Sequence, residues 1–123
     1  SINAIMEIDL TGQVCSETIG TRQYSGPGGG FDFAYGAAHS KGGRSILIMH
    51  STTNKGESKI KPILTPGAAV TIPRPYVDIV VTEYGIAHMR GQTVQNRVKN
   101  LIAIAHPDYR EELRREAQAL FYI

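Results

Sequence analysis

Tyr76–Gly85, YVDIVVTEYG, decides the fold. Its centre is apolar and β-branched without a break, which reads as a buried strand of the kind found in sheets with parallel members. The strand closes at Glu83 to Gly85, so a carboxylate stands at its end. Ser45–His50, SILIMH, is also continuously apolar and reads as a fully buried strand. Between these two runs, STTNKGES (51–58) is polar and loop-like. KIKPIL (59–64) and AAVTIP (68–73) read as strands separated by a TPG turn, with Pro62 placing the first at an edge or a bulge.

Toward the beginning, Ile2, Ala4, Met6, Ile8 and Leu10 recur at every second position, with Asn3, Glu7 and Asp9 among the residues between. That period predicts one strand with a buried face. TGQV (11–14) reads as a turn, and Val14–Ile19 as a returning strand. FDFAYGAAHS (31–40) predicts a short helix ended by the glycines of KGG (41–43). Phe31 and Phe33 are expected in the core, and Asp32 as the helix cap.

The last third is helical. Val94, Val98, Leu101, Ile102 and Ala105 share a face, and Thr93 can cap its start. His106-Pro107 breaks that helix, and Pro107 suits the first turn of another. Tyr109, Leu113, Ala117 and Leu120 form the second stripe, with Glu111 and Glu112 placed before Arg114 and Arg115 as the helix dipole favours. The expected architecture is α/β, an open mixed sheet with flanking helices, two of them at the C-terminus.

The bulk properties exclude more than they assign. With 123 residues, 41% hydrophobic, 20% charged and a net charge of +2, the chain is one domain or a large piece of one. Nothing in that balance calls for a nucleic acid or a membrane surface as partner. The single cysteine, Cys15, rules out an internal disulfide framework and suits a reducing, cytoplasmic setting. No apolar run approaches the ~18 residues of a membrane-spanning helix. SINAIMEIDL enters an alternating pattern without a starting Met, which suggests a fragment whose upstream half lies elsewhere.

Ser25–Phe33, SGPGGGFDF, carries the strongest chemical signal. Glycine permits positive φ and close approach of a ligand to the main chain. Successive N–H groups in such a turn form a nest for a negative oxygen. GPGGG is neither the Walker pattern nor GxGxxG, so a structural turn and an oxyanion site both stay open. Glu83, at a strand end where open α/β sheets gather ligands, is a candidate base or nucleophile. The alternative is a carboxylate hydrogen-bonded to nearby backbone. Glu17 is a lesser candidate.

His39, His50, His88 and His106 show no metal-ligand spacing, and no metal is expected. No G-x-S-x-G elbow is present. Lys55 and Arg90 suit either phosphates or solvent. Composition and spacing stop at an α/β domain with a candidate oxyanion loop.

Taken together, SINAIMEIDLTGQV, GPGGGFDF, SKGGRSIL, TPGAAVTIPRPYVDIVVTEYGIAHMRG and LIAIAHPDYREEL resemble the C-terminal domain of the acetyl-CoA hydrolase/transferase family. The 4-hydroxybutyrate and butyryl-CoA:acetate CoA-transferases form the nearest branch. The resemblance runs through nearly the whole chain, in the family's order.

It implies a covalent, ping-pong CoA transfer. A glutamate attacks an acyl-CoA thioester to give a mixed anhydride and CoA thiolate. The thiolate returns to form a glutamyl-CoA thioester, which passes CoA to an acceptor carboxylate. Such chemistry needs a carboxylate nucleophile and N–H donors for each oxyanion.

The family's glycine loop maps to Gly26, Pro27, Gly28 and Gly29, with Gly28 and Gly29 placed at the thioester oxygen. Ser51, Thr52 and Lys55 map to a second CoA contact, and Asn3 to an Asn near the cleft. The family's glutamate lies upstream, and neither Glu17 nor Glu83 matches it. The chain is therefore expected to be half an active site, with coenzyme A as co-substrate and its own N-terminal domain as partner. A homo-oligomer is expected in the full-length protein. An acyl-CoA hydrolase, a self-contained sugar-phosphate isomerase using Glu83, and an anion-binding module remain alternatives.

Overall fold

The main sheet pairs a strand from the start of the chain with three that follow later, all before the C-terminal helices. The computed structural model describes residues 1–123. In chain order the elements are β1 (Ile2–Ala4), β2 (Glu7–Asp9), β3 (Val14–Cys15), β4 (Thr18–Ile19), β5 (Arg22–Gln23) and α1 (Gly30–His39). Then follow β6 (Ile46–Ile48), β7 (Ile60–Lys61), β8 (Ile79–Thr82), β9 (Gly85–His88), α2 (Val94–Ile104) and α3 (Pro107–Ala119). The four-stranded sheet has the order β1-β6-β8-β9. β1, β6 and β8 are parallel and β9 is antiparallel to β8, so the sheet is mixed as expected. A smaller sheet has the order β3-β2-β7, and β4 and β5 form a hairpin.

The two apolar runs form the centre of the main sheet, but they are not buried on both faces. Leu47 and Val80 are fully buried, whereas Ile48 is 40% exposed and Ile46, Ile79 and Val81 are half-buried. One face is covered and the other is open.

The alternating run from Ile2 to Leu10 is not one strand. It breaks at Ile5–Met6 and passes from the main sheet into the smaller one. Period-2 reasoning fails here because the polar residues of its second half are buried by dedicated partners. The Glu7 carboxylate meets the Lys61 ammonium at 2.7 Å and accepts from the Thr65 N–H and hydroxyl. Asp9 accepts from the Thr11 N–H and hydroxyl at 2.9 and 2.7 Å, closing the turn before β3.

Val14–Ile19 splits into β3 and β4. KIKPIL yields only Ile60–Lys61, an edge strand that stops where Pro62 has no N–H to donate. AAVTIP forms no strand, and only Ile72 bridges to Val14. β9, unforeseen because Gly85-Ile86-Ala87-His88 is short and unpatterned, follows β8 through Glu83 and Tyr84.

The helices follow their predicted chemistry more closely. The Thr93 hydroxyl accepts from the Asn96 N–H at 3.1 Å and caps α2. Val98, Leu101, Ile102, Ile104 and Ala105 enter the core with Leu47, Val80 and Ala87. Pro107 opens α3, while His106 Nδ1 accepts from the Asp108 N–H at 3.1 Å. Leu113 and Ala117 are buried, but Leu120 falls past the helix end and is 41% exposed. Asp32 makes no cap bond, since Gly29 occupies the cap position of α1. Phe31 packs edge-on against Tyr76 at 5.4 Å, and Phe33 is exposed.

Arg97 escaped the sequence reading. Buried on the apolar side of α2, it donates to the carbonyls of Gln92, Thr11 and Arg74 at 3.1 to 3.4 Å. Burial and the nearby Arg74 cation both lower its pKa. Gly12, at φ +99°, belongs to the same contact, because a Cβ there would lie 2.8 Å from the guanidinium.

Candidate functional site

Parallel strands end side by side, and their C-terminal edge is where an open α/β sheet offers a crevice. Here β1, β6 and β8 end around a cleft of about 480 Å³, lined by Ala4, Ile48, Met49, His50, Lys59 and Glu83 among others. A neighbouring hollow of about 640 Å³ shares His50, Lys59 and Glu83 and adds Tyr24 and Thr52.

Glu83 organises this edge. One carboxylate oxygen accepts from the Ser51 N–H at 2.7 Å and the other from the Ser51 hydroxyl at 3.1 Å. Burial raises its pKa. The Ser51 N–H, its own N–H, the Ser51 hydroxyl and the His50 ring outweigh that effect and leave the pKa lowered. Glu83 is therefore an ionised carboxylate with both oxygens engaged. It ties the end of β8 to the turn after β6. The backbone-bonded alternative is the one found.

Ser51 is fully buried, and its carbonyl accepts from the Lys59 N–H at 2.8 Å. Thr52 is half-buried and bridges to Ser58 across the loop. Lys55 sits exposed at the loop tip and is not among the cleft-lining residues. On the other flank, the Tyr109 hydroxyl donates to the Gly56 carbonyl, so α3 holds this loop from outside.

The glycine loop lies between β5 and α1, with Gly26, Gly28 and Gly29 all exposed. Gly28 has φ +61° and open space where a Cβ would point. Neither Gly28 nor Gly29 donates its N–H to another part of the backbone. Glu17 places the loop. Its carbonyl accepts from the Tyr24 and Ser25 N–H groups at 2.8 and 3.1 Å, and its carboxylate accepts from Thr71 and Gln23. Glu17 is thus a scaffold for the loop.

Asn3 lies in β1 in register with Leu47. The structure brings Thr52 and Glu83 to the cleft, keeps Ser51 buried behind Glu83, and leaves the glycine loop and Lys55 outside the lining. His50 and Lys59 line both hollows, and sequence reading missed them as site residues. His50 was visible as the polar end of an apolar run. Lys59 had no local signal, because only the loop closure beside Ser51 brings it there. His39 stacks on Tyr35, His88 sits in β9 and His106 caps α3, well separated in the chain and in the fold. Arg90 is exposed beyond β9.

Comparison with known proteins adds the context. The family described as acetyl-CoA hydrolase/transferase C-terminal domain matches residues 1–117. The chain belongs to that family. It is 54% identical over 122 residues to 4-hydroxybutyrate coenzyme A transferase of Clostridium kluyveri. It is also 54% identical over 123 residues to a probable butyrate:acetyl-CoA coenzyme A-transferase of Syntrophomonas wolfei. Both matches cover 98% of this chain but 28% of the relative, so the chain spans just over a quarter of their length. The crystal structure of a 4-hydroxybutyrate CoA-transferase from Porphyromonas gingivalis matches 98% of the chain with TM-score 0.77 and 45% identity, again over 26% of its own length. The acetyl-CoA hydrolase/transferase fold expected from the sequence is present. No helix is long and apolar enough to cross a membrane.

Proposed function

We propose that this chain is the C-terminal portion of a cytoplasmic CoA-transferase. The full protein would move CoA between a short-chain acyl-CoA and a carboxylate of the acetate, butyrate or 4-hydroxybutyrate type. The observation that carries this reading is the 54% identity, sustained over nearly the whole chain, to 4-hydroxybutyrate coenzyme A transferase.

In this reading the nucleophilic glutamate belongs to the remainder of the full-length protein, which joins this portion to complete the site and assembles as a homo-oligomer. Glu83 is spoken for by Ser51 on both oxygens, which suits a positioning role and not attack on a thioester. The amides of Gly28 and Gly29, free of backbone acceptors, receive the charge that builds on the thioester oxygen, the largest electrostatic demand of acyl transfer. Gly26, Ser51, Thr52, Lys55 and Asn3 contribute to the CoA side of the site. Coenzyme A is a co-substrate here.

The full-length protein should convert butyryl-CoA and 4-hydroxybutyrate to a new acyl-CoA, with parallel double-reciprocal lines. Release of free CoA at the same rate with and without acceptor would overturn the transferase reading in favour of hydrolysis. Gly28→Val places a β-branched residue at φ +61°, in the approach to those amides. It should lower kcat by about 10²-fold, the scale of losing one oxyanion donor. Unchanged turnover would remove Gly28 from the site.

A further inference from the structure

The main sheet has one face that nothing in this chain covers. Its register sets two rows across the strands: Ile2, Ile46, Ile79 and His88, then Ala4, Ile48, Val81 and Ile86. The residues between them, Leu47, Val80 and Ala87, point the other way into the core. On the outer rows Ile2 is 67% exposed, Ile48 40% and Ile86 61%. His88, at the rim, is the one ionisable residue in either row. Parallel strands are almost always covered on both faces, and contiguous apolar surface of this kind marks an interaction site. The outer edge of β1 is also unpaired.

We propose that this open face is the docking surface for the amino-terminal portion of the full-length chain, which lays an apolar helix stripe across β6 and β8. The inference builds on the two-part reading above. Two observations favour that occupant over others. The segment accounts for only 28% of the length of its relatives, so most of the polypeptide lies outside it. The face is also continuous with the cleft, because Ala4, Ile48 and Val81 belong to both. Whatever covers the rows walls the cleft on that side. The remainder of the chain, which has to bring the attacking carboxylate, would therefore approach over this face and keep water from the glutamyl thioester.

The test uses the full-length protein. The photo-crosslinker p-benzoylphenylalanine replaces Ile2 in one variant and Ile79 in another, with Ile63, exposed and off the face, as the control. After irradiation, peptide mass mapping should join positions 2 and 79 to sequence upstream of Ser1 within a single chain, with no such product from position 63. Adducts of doubled mass would assign the face to a second copy and overturn the proposal, as would the absence of adducts at both positions.

A companion measurement tolerates less disturbance of packing. Ile86→Cys, which this chain leaves 61% exposed against 51% for Ile63, should react with a water-soluble maleimide at least tenfold slower than Ile63→Cys until the protein is denatured, and equal rates would contradict the proposal. Neither readout involves turnover. An inactive protein with the expected cross-links would refute the transferase reading and leave the docking surface standing.

Discussion

Glu83 carries the consequence of one residue's environment. Each of its carboxylate oxygens accepts one hydrogen bond from Ser51, and its pKa is lowered. As pH falls, the unfolded chain takes up this proton before the folded one does. The stabilisation is therefore complete above the unfolded value and is lost as pH drops through the lower folded value. Glu83→Gln should destabilise the protein at pH 7, and its stability gap from wild type, measured by urea denaturation, should close in acid below the usual carboxylate range. A gap independent of pH would mean that the Ser51 contacts do not depend on the charge. In the sequence, Glu83 was legible as a residue at a strand end. Its partner was not, since Ser51 lies 32 positions away and only sheet pairing brings β6 beside β8. The same long-range closure hid Lys59.

Elements differ in how much they depend on their own sequence. α2 is set locally by a cap and a stripe, so removing the cap with Thr93→Ala should cost about 1 kcal/mol. Thr93→Ser should restore most of that loss in the same denaturation assay. Both C-terminal helices were readable for this reason, down to Pro107 at the first turn. The strands are two to four residues long, too short for periodicity to separate one strand from two. The break at Ile5–Met6, the loss of the second half of KIKPIL and the appearance of β9 all follow from tertiary pairing.

The loop after β6 also depends on a distant element, through the Tyr109 hydroxyl on the Gly56 carbonyl. Tyr109→Phe should leave global stability within about 1.5 kcal/mol, the usual worth of one hydrogen bond. It should speed amide exchange at residues 52–58. Unaltered exchange there would show that α3 does not restrain the loop.

At the scale of the whole molecule, a single core joins the covered sheet face to α2 and α3, and Leu101 is one of its fully buried members. Leu101→Ala should destabilise the protein by about 2–5 kcal/mol, and a loss below 1 kcal/mol would show that this core is not continuous. The α/β class and the mixed sheet could be read from two apolar runs and two amphipathic stripes. The open face could not, because a run such as SILIMH looks the same whether its second side is covered by this chain or by another part of the protein.

The central claim is that this portion supplies oxyanion donors while the attacking carboxylate comes from outside it. The most direct measurement incubates the full-length protein with acyl-CoA, reduces the glutamyl thioester with borohydride and locates the modified residue by peptide mass mapping. The account predicts a single modified glutamate upstream of Ser1. Modification at Glu83 or Glu17 would contradict it.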